Sequence, residues 1–298
     1  MDLSFTVKTN LFLNETKAFS LGKASHAYLL EGENGVGKHS FAMAMACMHF
    51  CTDEHKPCFN CAQCKKVLAG NHPDVHFFAP EASVFKVDTV REILSTVRET
   101  PYEGNVKIYI VEKFNLANDQ AQNAFLKTLE EPPQNVLFFL LCENSLSMLP
   151  TVRSRCKKLY LKPWSQEDVF AFLQKNFAQN SNNQYIAAVS NGNIGKAIRL
   201  VDDEDFLKAN EKAQKIVDAI KEGKNADKVF ALLELEDDFL TLIEDKIHAL
   251  FLLEPEKYLL RLKAISDAKS AKKINVNKTL IQQKLAYELV KGGKKWQK

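Results

Sequence analysis

The segment GENGVGKHS, from Gly32 to Ser40, contains the residue types of a phosphate-binding loop. In such loops glycines let backbone N–H groups approach the phosphates, and a lysine neutralises the terminal ones. These two functions are supplied by Gly32, Gly35, Gly37 and Lys38. A Ser or Thr directly after the lysine normally holds magnesium, but His39 stands there, and its imidazole suits a hard cation poorly. Ser40 comes one residue later, about 100° further around a helix, so we do not expect it to substitute.

A second segment lacks the acids that hydrolysis requires. Active phosphate-loop ATPases place magnesium-supporting and water-polarising carboxylates after a strand such as VKIYIV, residues 106–111. Here those places are taken by Glu112 and Lys113. A charged lysine accepts no proton, and its charge opposes nearby magnesium. We therefore expect no intrinsic hydrolysis and consider ATP binding doubtful. Nucleotide binding without turnover and a purely structural turn both stay open.

Four cysteines follow the loop within fourteen residues, with the spacing C-x6-C-x2-C-x2-C. They are Cys51, Cys58, Cys61 and Cys64. Four thiolates satisfy the tetrahedral geometry of structural zinc and leave no open position for catalysis. Cys47 and His55 compete as ligands, but Cys47 falls in an apolar helical segment and His55 in a charged loop. The alternative is a set of free thiols, which such a density of soft ligands disfavours.

The elements that would position these residues alternate between strands and helices. The apolar run HAYLL leads into the glycine loop, and SFAMAMACMHF after it consists of helix formers, so strand, loop and helix are expected in that order. Further strands are predicted at 75–79, 106–111 and 136–142, and further helices at 87–100 and 116–129. This alternation predicts an α/β fold with a parallel sheet covered on both faces.

Strand signals end near residue 165. Ser165 begins SQEDVFAFLQKNF as a helix cap followed by Glu167 and Asp168, and two short helices broken near Gly192 come next. Beyond Asp202 the chain is charged and helical, with apolar residues at helical spacing. We therefore predict three domains, at 1–162, 163–202 and 203–298, with the cysteine module at about 51–64. The terminal KGGKKWQK is expected to be mobile.

Composition limits the function classes. The 298 residues carry 40 basic and 37 acidic side chains, a net charge of +3 that is too weak to indicate general nucleic-acid binding. The longest apolar run, VLFFLLC, has seven residues, against about 20 needed to cross a bilayer. The start of the chain, MDLSFTVKTN, shows no charged leader followed by an apolar core. We therefore expect a cytoplasmic protein that does not contact membranes.

Several motifs in one order carry a family resemblance. They are LLEGENGVGK (29–38), the cysteine module, GNHPD (70–74), LKTLEEPP (126–133) and LPTVRSRC (149–156). In these motifs the chain resembles the bacterial sliding-clamp-loader family of AAA+ ATPases. The resemblance covers about the first 200 residues specifically and the remainder only by helical character.

This resemblance implies an AAA+ domain with a zinc knuckle, a small helical lid and a C-terminal helical collar that joins five subunits into a ring. It implies that Ser154, Arg155 and Cys156 present Arg155 to ATP bound on a neighbouring subunit. The implied partners are the tau/gamma and delta subunits, with the sliding clamp and primed DNA reached through the complex. A surface arginine near the end of a strand is the alternative interpretation of Arg155.

The departures from the family pattern favour a subunit that does not hydrolyse ATP. Glu143 or Asn144 stands where a polar nucleotide-sensing residue is expected, and Gly195 stands where motor subunits place a sensing arginine. Neither Lys196 nor Arg199 is in register with that arginine. A motor ATPase that uses Lys38 and Glu112 is the main alternative, and a zinc-stabilised DNA-binding module is a more distant one.

Two other groups of polar residues have simpler interpretations. They are the charged residues of LKTLEEPP, namely Lys127, Glu130 and Glu131, and the histidine of GNHPD, His72. The LKTLEEPP residues resemble a helix end packed at a subunit boundary, and a solvated charged face is the simpler alternative. His72 is expected to stabilise a turn by a hydrogen bond, since no nucleophile stands near it in the sequence.

Overall fold

The computed structural model describes residues 3–80, 85, 87–223, 226–273 and 277–291. The chain forms two compact units, which meet in sequence between Ile198 and Arg199. Apart from Lys291, the terminal KGGKKWQK lies outside the described residues, and so does its predicted mobility. No helix among the described residues combines the length and the apolar character needed to cross a membrane.

A five-stranded parallel sheet forms the centre of the first unit. Its strands are β1 (Ala27–Glu31), β2 (Val75–Phe78), β3 (Lys107–Val111), β4 (Val136–Cys142) and β5 (Lys157–Tyr160). The order across the sheet is β2-β3-β4-β1-β5, and all four neighbouring pairs are parallel. The predicted parallel sheet is therefore confirmed, with strand bounds shifted by at most one residue for the four strands that the sequence indicated. The edge strand β5 was not predicted, because KKLY lacks a continuous apolar run.

Helices cover both faces of this sheet. They are α1 (Asn10–Ser20), α2 (Lys38–Phe50), α3 (Ala62–Leu68), α4 (Val87–Thr96), α5 (Asp119–Glu130) and α6 (Pro150–Arg153). Successive strand residues enter different hydrophobic clusters: Phe139 packs in the cluster that contains α2, and Phe138 in the cluster that contains α5. Both faces of the strands are thus buried, as the unbroken apolar run of β4 predicts.

Some predicted helix bounds are wrong. The helix predicted at 87–100 ends at Thr96. The one predicted at 116–129 is a short 3-10 turn, Phe114–Leu116, followed by α5, because Asn118 caps α5 by accepting the N–H of Ala121.

The lid segment has the predicted helical character. Its helices are α7 (Gln166–Asn176), α8 (Asn183–Val189) and α9 (Ile194–Asp202). Ser165 caps α7 by accepting the N–H of Asp168 at 3.0 Å, and the break before α9 contains Gly192 at a φ of 77°. Residues 163–198 group with the first unit rather than apart from it. The three-domain boundaries therefore stay a prediction.

The second unit is helical throughout its described residues. Its remaining helices are α10 (Glu204–Glu222), α11 (Ala226–Leu232), α12 (Asp237–Phe251), α13 (Pro255–Lys273) and α14 (Lys278–Lys291). Phe239, Ile243 and Ile247 lie at helical spacing on α12 and are buried in the core of this unit. Arg261 is buried as well, and its Nε donates to the Leu289 carbonyl at 2.7 Å near the C-terminus of α14. A cation placed there offsets the negative end of the helix dipole.

Asp74 of GNHPD organises the strand starts of the first unit. Its carboxylate is fully buried and accepts the backbone N–H groups of Tyr102, Glu103 and Gly104 at 2.5–2.8 Å. Burial opposes ionisation, but the three N–H donors together outweigh it and keep the pKa of Asp74 below its ordinary value. His72 accepts the Asp74 N–H at Nδ1, so it has the turn-stabilising role that its sequence position predicts.

We expect Asp74→Asn to lower the free energy of unfolding at neutral pH by about 1–3 kcal/mol, because an amide replaces one oxygen acceptor with a donor. A carboxyl whose folded pKa is depressed stabilises the fold above the unfolded value, about 3.9 for aspartate, and loses that effect as the pH falls through the folded pKa. The difference between parent and variant in urea unfolding should therefore shrink below about pH 4. Asp88→Asn, at an exposed aspartate, is the control. A difference that is constant with pH would contradict the assignment.

Candidate functional site

The phosphate loop joins β1 to α2 at the edge of the sheet where the strands end. Gly35 and Gly37 adopt positive φ angles of 86° and 105°, a conformation that glycine tolerates and other residues rarely adopt. Helix α2 begins at Lys38, directly after the loop. A cavity of about 240 Å³ opens here. Its lining includes Gly35, Gly37, Lys38, His39, Ser40, Glu112, Lys113, Asn115, Glu143 and Gly195, whereas Gly32 is not part of it. The predicted phosphate-loop residues are thus brought together with the ends of β3 and β4.

The ammonium of Lys38 is engaged by its own loop. Its Nζ donates to the carbonyls of Gly32 at 2.6 Å and Glu33 at 2.9 Å. Burial lowers the pKa of Lys38 from its ordinary value. The loop itself thus supplies hydrogen-bond acceptors for the lysine. A phosphate bound here would compete with these two carbonyls for the ammonium group.

His39 and Glu112 form a direct contact across the site. His39 Nδ1 lies 2.6 Å from Glu112 Oε1, and the two side chains are 40% and 34% exposed. The hydrogen bond with His39 lowers the pKa of Glu112, so this carboxyl is ionised at neutral pH. His39, at the position where a magnesium ligand is expected, is therefore hydrogen-bonded to Glu112, the carboxylate expected to support magnesium. Lys113 also lines the cavity and adds a positive charge beside this pair.

The sensing positions also differ from those of a motor subunit. Glu143 lines the cavity, whereas Asn144 caps a short 3-10 turn by accepting the N–H of Leu146 at 2.8 Å. Asn115 lines the cavity too and accepts the Glu143 N–H at 3.3 Å. The sequence did not single out Asn115, because an asparagine after a short turn has no distinguishing pattern.

The lid segment is hydrogen-bonded to the loop backbone at three consecutive residues. The Nδ2 of Asn193 donates to the Asn34 carbonyl at 2.6 Å, and the Gly195 N–H donates to the Gly35 carbonyl at 2.9 Å. The Nε1 of Trp164 donates to the Val36 carbonyl at 3.2 Å. Gly195 thus stands against the loop itself where a motor subunit is expected to carry an arginine. Lys196 does not line the cavity, and its Nζ donates to the Val189 carbonyl within the lid.

The cysteine cluster lies at the other end of α2. The four sulfur atoms of Cys51, Cys58, Cys61 and Cys64 lie within 4.8 Å of one another. Four sulfurs around a tetrahedral zinc at about 2.3 Å would be about 3.8 Å apart, so the arrangement suits such an ion. The two competing ligands, Cys47 and His55, are not part of this group. The cluster can therefore hold a metal ion, and zinc is the metal that four thiolates in this geometry favour.

The surroundings shift the pKa values of the cluster thiols in different directions, and burial raises those of Cys51 and Cys64. Cys61 caps α3, and its sulfur accepts the Cys64 N–H at 3.4 Å, which lowers the pKa of Cys61 to about 5. Burial instead raises the pKa of Cys47 to about 12, as befits an inert thiol in the core. The sequence interpretation of Cys47 as a small core residue agrees with this burial.

The arginine of LPTVRSRC lies in the turn between α6 and β5. Arg155 Nη1 donates to the Thr151 carbonyl at 2.8 Å and lies 3.4 Å from the Ser154 hydroxyl. Its Nη2 lies 2.6 Å from Glu130 Oε1, and 34% of its side chain is exposed. Cys156 is buried, and burial raises its pKa to about 12. The two terminal nitrogens of Arg155 are therefore held by neighbouring groups, while about a third of the side chain is exposed at the surface of the first unit.

Comparisons with known proteins agree with the motif order. Residues 8–165 match the family described as DNA polymerase III, delta subunit. The chain is 28% identical over 227 residues to DNA polymerase III subunit delta' of Bacillus subtilis, covering 76% of this chain and 68% of that one. It is 31% identical to subunit delta' of Escherichia coli, covering 69% and 63%, and 34% identical to subunit gamma of a Buchnera aphidicola strain, covering 65% and 56%.

The chain belongs to the DNA polymerase III delta-subunit family. This confirms the predicted resemblance to clamp-loader subunits of the delta-prime type. Relatives named delta' and gamma both match at similar identity, so the comparisons do not by themselves separate a silent subunit from a motor. The geometry around His39 bears on that distinction.

We expect Gly195→Ala to destabilise the first unit by about 1–3 kcal/mol, because an added Cβ would lie 2.8 Å from Gly35 Cα and overpack the contact between lid and loop. This expected loss of stability is opposite in sign to the usual effect of replacing glycine by alanine in a helix. Within a helix this substitution ordinarily stabilises by up to about 1 kcal/mol, through the higher helix propensity of alanine. Urea unfolding of both proteins measures the difference. A more stable variant would show that the lid does not press on the loop.

Proposed function

We propose that this chain is a non-hydrolysing subunit of the bacterial sliding-clamp loader, and that it donates Arg155 to ATP bound on a neighbouring subunit. The observation that carries the first half is the 2.6 Å contact between His39 and Glu112. A magnesium ion beside the loop would need oxygen ligands at both positions, and here one is an imidazole and the other is already bonded to it. This subunit is expected to assist catalysis without an intrinsic ATPase activity.

Electrostatics support the same conclusion. Lys38 and Lys113 line the cavity together with His39 and Glu112, and Lys38 already donates to two loop carbonyls. A divalent cation there would lie beside two ammonium groups, and of the two carboxylates that line the cavity, Glu112 is already hydrogen-bonded to His39, which leaves Glu143 to offset them. The cost of magnesium entry is therefore high, and without magnesium the developing charge of a transferred phosphoryl group is not stabilised.

Arg155 supports the second half of the proposal. A guanidinium delivered across a subunit interface stabilises charge on the transferred phosphoryl group, which is worth roughly 10³ to 10⁵ in rate in other NTPases. The Thr151 carbonyl and the Ser154 hydroxyl hold Nη1 of this guanidinium, and the exposed part of the side chain is accessible to another chain. In this proposal the partners are the tau/gamma and delta subunits, and the complex acts on the sliding clamp and primed DNA.

We further propose that the cysteine cluster holds one structural zinc ion. Cys51, Cys58, Cys61 and Cys64 would be its four ligands, which leaves no coordination position for catalysis. The surroundings suit a structural role. Phe50, next to Cys51, stacks on His72 with ring centroids 4.0 Å apart, and Lys66 on α3 pairs with Glu103 at 2.7 Å. The ion would therefore brace the same region that Asp74 organises.

For the first half of the proposal, the purified chain should release no phosphate from ATP with magnesium.

For the second half, Arg155→Ala should leave assembly with tau/gamma and delta intact but slow clamp- and DNA-stimulated ATP turnover by the reconstituted loader. The expected loss is tenfold or more, because the charge on the transferred phosphoryl group loses its cationic partner. Arg98→Ala, at another exposed arginine, is the matched control. Robust turnover by the isolated chain would favour a motor that uses Lys38 and Glu112, and an unchanged rate for Arg155→Ala would refute the donated arginine.

Chelation should release about one zinc ion per chain and lower the thermal stability of the first unit, because ligand binding and folding are coupled at such sites. Metal release is measured with a colorimetric indicator and unfolding by calorimetry. Cys64→Ser should reproduce the loss without chelator. Cys142→Ser, at a buried cysteine outside the cluster, should retain the metal. Unchanged melting after complete metal removal would rule out a structural ion.

A further inference from the structure

Glu130 is the carboxylate that contacts the exposed arginine. It is the last residue of α5, and its Oε1 lies 2.6 Å from Arg155 Nη2. A carboxylate at the C-terminus of a helix is ordinarily unfavourable, since the helix dipole is negative there. Pairing with a guanidinium removes that penalty. The pairing with Arg155 therefore accounts for a glutamate at the last position of α5, where the helix dipole alone would disfavour it.

The contacts of Arg155 use one edge of the guanidinium. Nη1 is taken up by the Thr151 carbonyl and the Ser154 hydroxyl, and Nη2 by Glu130. Among the residues that the structure describes, Nε of Arg155 has no hydrogen-bond partner. A guanidinium offers five donors in a planar fork and can bind phosphate through two of them. Contacts at the two terminal nitrogens leave Nε available to an anion.

The helix that carries Glu130 is tied to the segment that carries Arg155. The side chain of Gln122 on α5 is buried, and its Oε1 accepts the Leu149 N–H at 2.8 Å, directly before α6. Val152 on α6 is fully buried against the same hydrophobic cluster. The end of α5, which carries Glu130, and the turn directly after α6, which carries Arg155, are thus held together by these contacts.

We propose that Glu130 is a positioning residue for Arg155: it fixes the guanidinium so that the Nε edge is presented to a phosphoryl group on the neighbouring subunit. This inference rests on the proposed donation of Arg155. A free arginine side chain populates many rotamers, and a preoriented one loses less freedom when it reaches its target. An exposed ion pair adds little stability, so its effect is expected in catalysis and not in folding.

The reconstituted loader, with sliding clamp, primed DNA and magnesium ATP, provides the test. Glu130→Gln keeps the shape of the side chain and removes its charge. It should lower the maximal turnover rate about threefold to tenfold and leave the ATP concentration for half-maximal rate unchanged, because the arginine acts on the transition state. Glu131→Gln, the same change one residue later at an exposed glutamate without a described partner, should leave both parameters unchanged.

A double-mutant cycle separates this inference from the proposed function. Adding Glu130→Gln to Arg155→Ala should cause no further loss, since a positioning residue has nothing left to position. If Arg155→Ala slows turnover but Glu130→Gln behaves like Glu131→Gln, the inference fails and the donated arginine stands. If Arg155→Ala has no effect, both fail. An additive loss in the double variant, or faster turnover in Glu130→Gln, would also overturn the positioning role.

A direct readout on the isolated full chain completes the test. The side-chain Nε–H signal of Arg155 in an NMR spectrum, assigned by its loss in Arg155→Ala, should report restricted motion in the parent. It should report averaged motion in Glu130→Gln and stay restricted in Glu131→Gln. Equal mobility in all three proteins would contradict the proposal. Thermal unfolding of each variant verifies that the fold is retained.

Discussion

The contact between His39 and Glu112 joins the start of α2, directly after the phosphate loop, to the residue that follows β3. In a parallel sheet the carboxyl ends of the strands meet at one edge, so the loop after β1 and the residue after β3 are brought together whatever their chemistry. Between them this chain has the imidazole of His39 hydrogen-bonded to the carboxylate of Glu112. Lys38 completes the pattern by donating to its own loop. The carboxylate after β3 is therefore paired with an imidazole from the first turn of α2, and the lysine of the loop with backbone carbonyls.

At the opposite end of the sheet, where the strands begin, a different set of residues holds the structure together. Helix α2 runs from the phosphate loop to Cys51, so the cysteine cluster lies where the strands begin. Asp74 stands just before β2 and ties down residues 102–104, which precede β3. The two edges share α2 and the strands but no described side-chain hydrogen bond. A change at the cysteines is therefore expected to act on the stability of the first unit and only indirectly on the loop.

The sequence predicts the parts of this structure that depend on local pattern. The apolar run of β4 and the glycines of the loop gave the sheet and its functional edge, and the cysteine spacing gave the cluster that the structure brings together. The edge strand β5 was missed because two lysines interrupt its apolar pattern. Contacts between distant segments could not be predicted, since neither the pairing of Glu130 with Arg155 nor that of Asn193 with the loop leaves a periodic signal. His39 in the sequence predicted the lack of a magnesium ligand after Lys38, but its pairing with Glu112 could not be predicted.

A residue that acts on a neighbouring subunit must be exposed and yet held in place, and these demands conflict for a long side chain. Arg155 meets both because its backbone is anchored while its guanidinium is not enclosed. Val152 and Cys156 on either side of it are buried in the core of the first unit, and Pro150 starts α6 with its φ already fixed. The remaining freedom lies in the side-chain rotamers, where the Thr151 carbonyl and Glu130 supply the restraint. The restraint on Arg155 therefore comes from α5, from α6 and from the turn that follows α6, and none of its described side-chain contacts involves the phosphate loop.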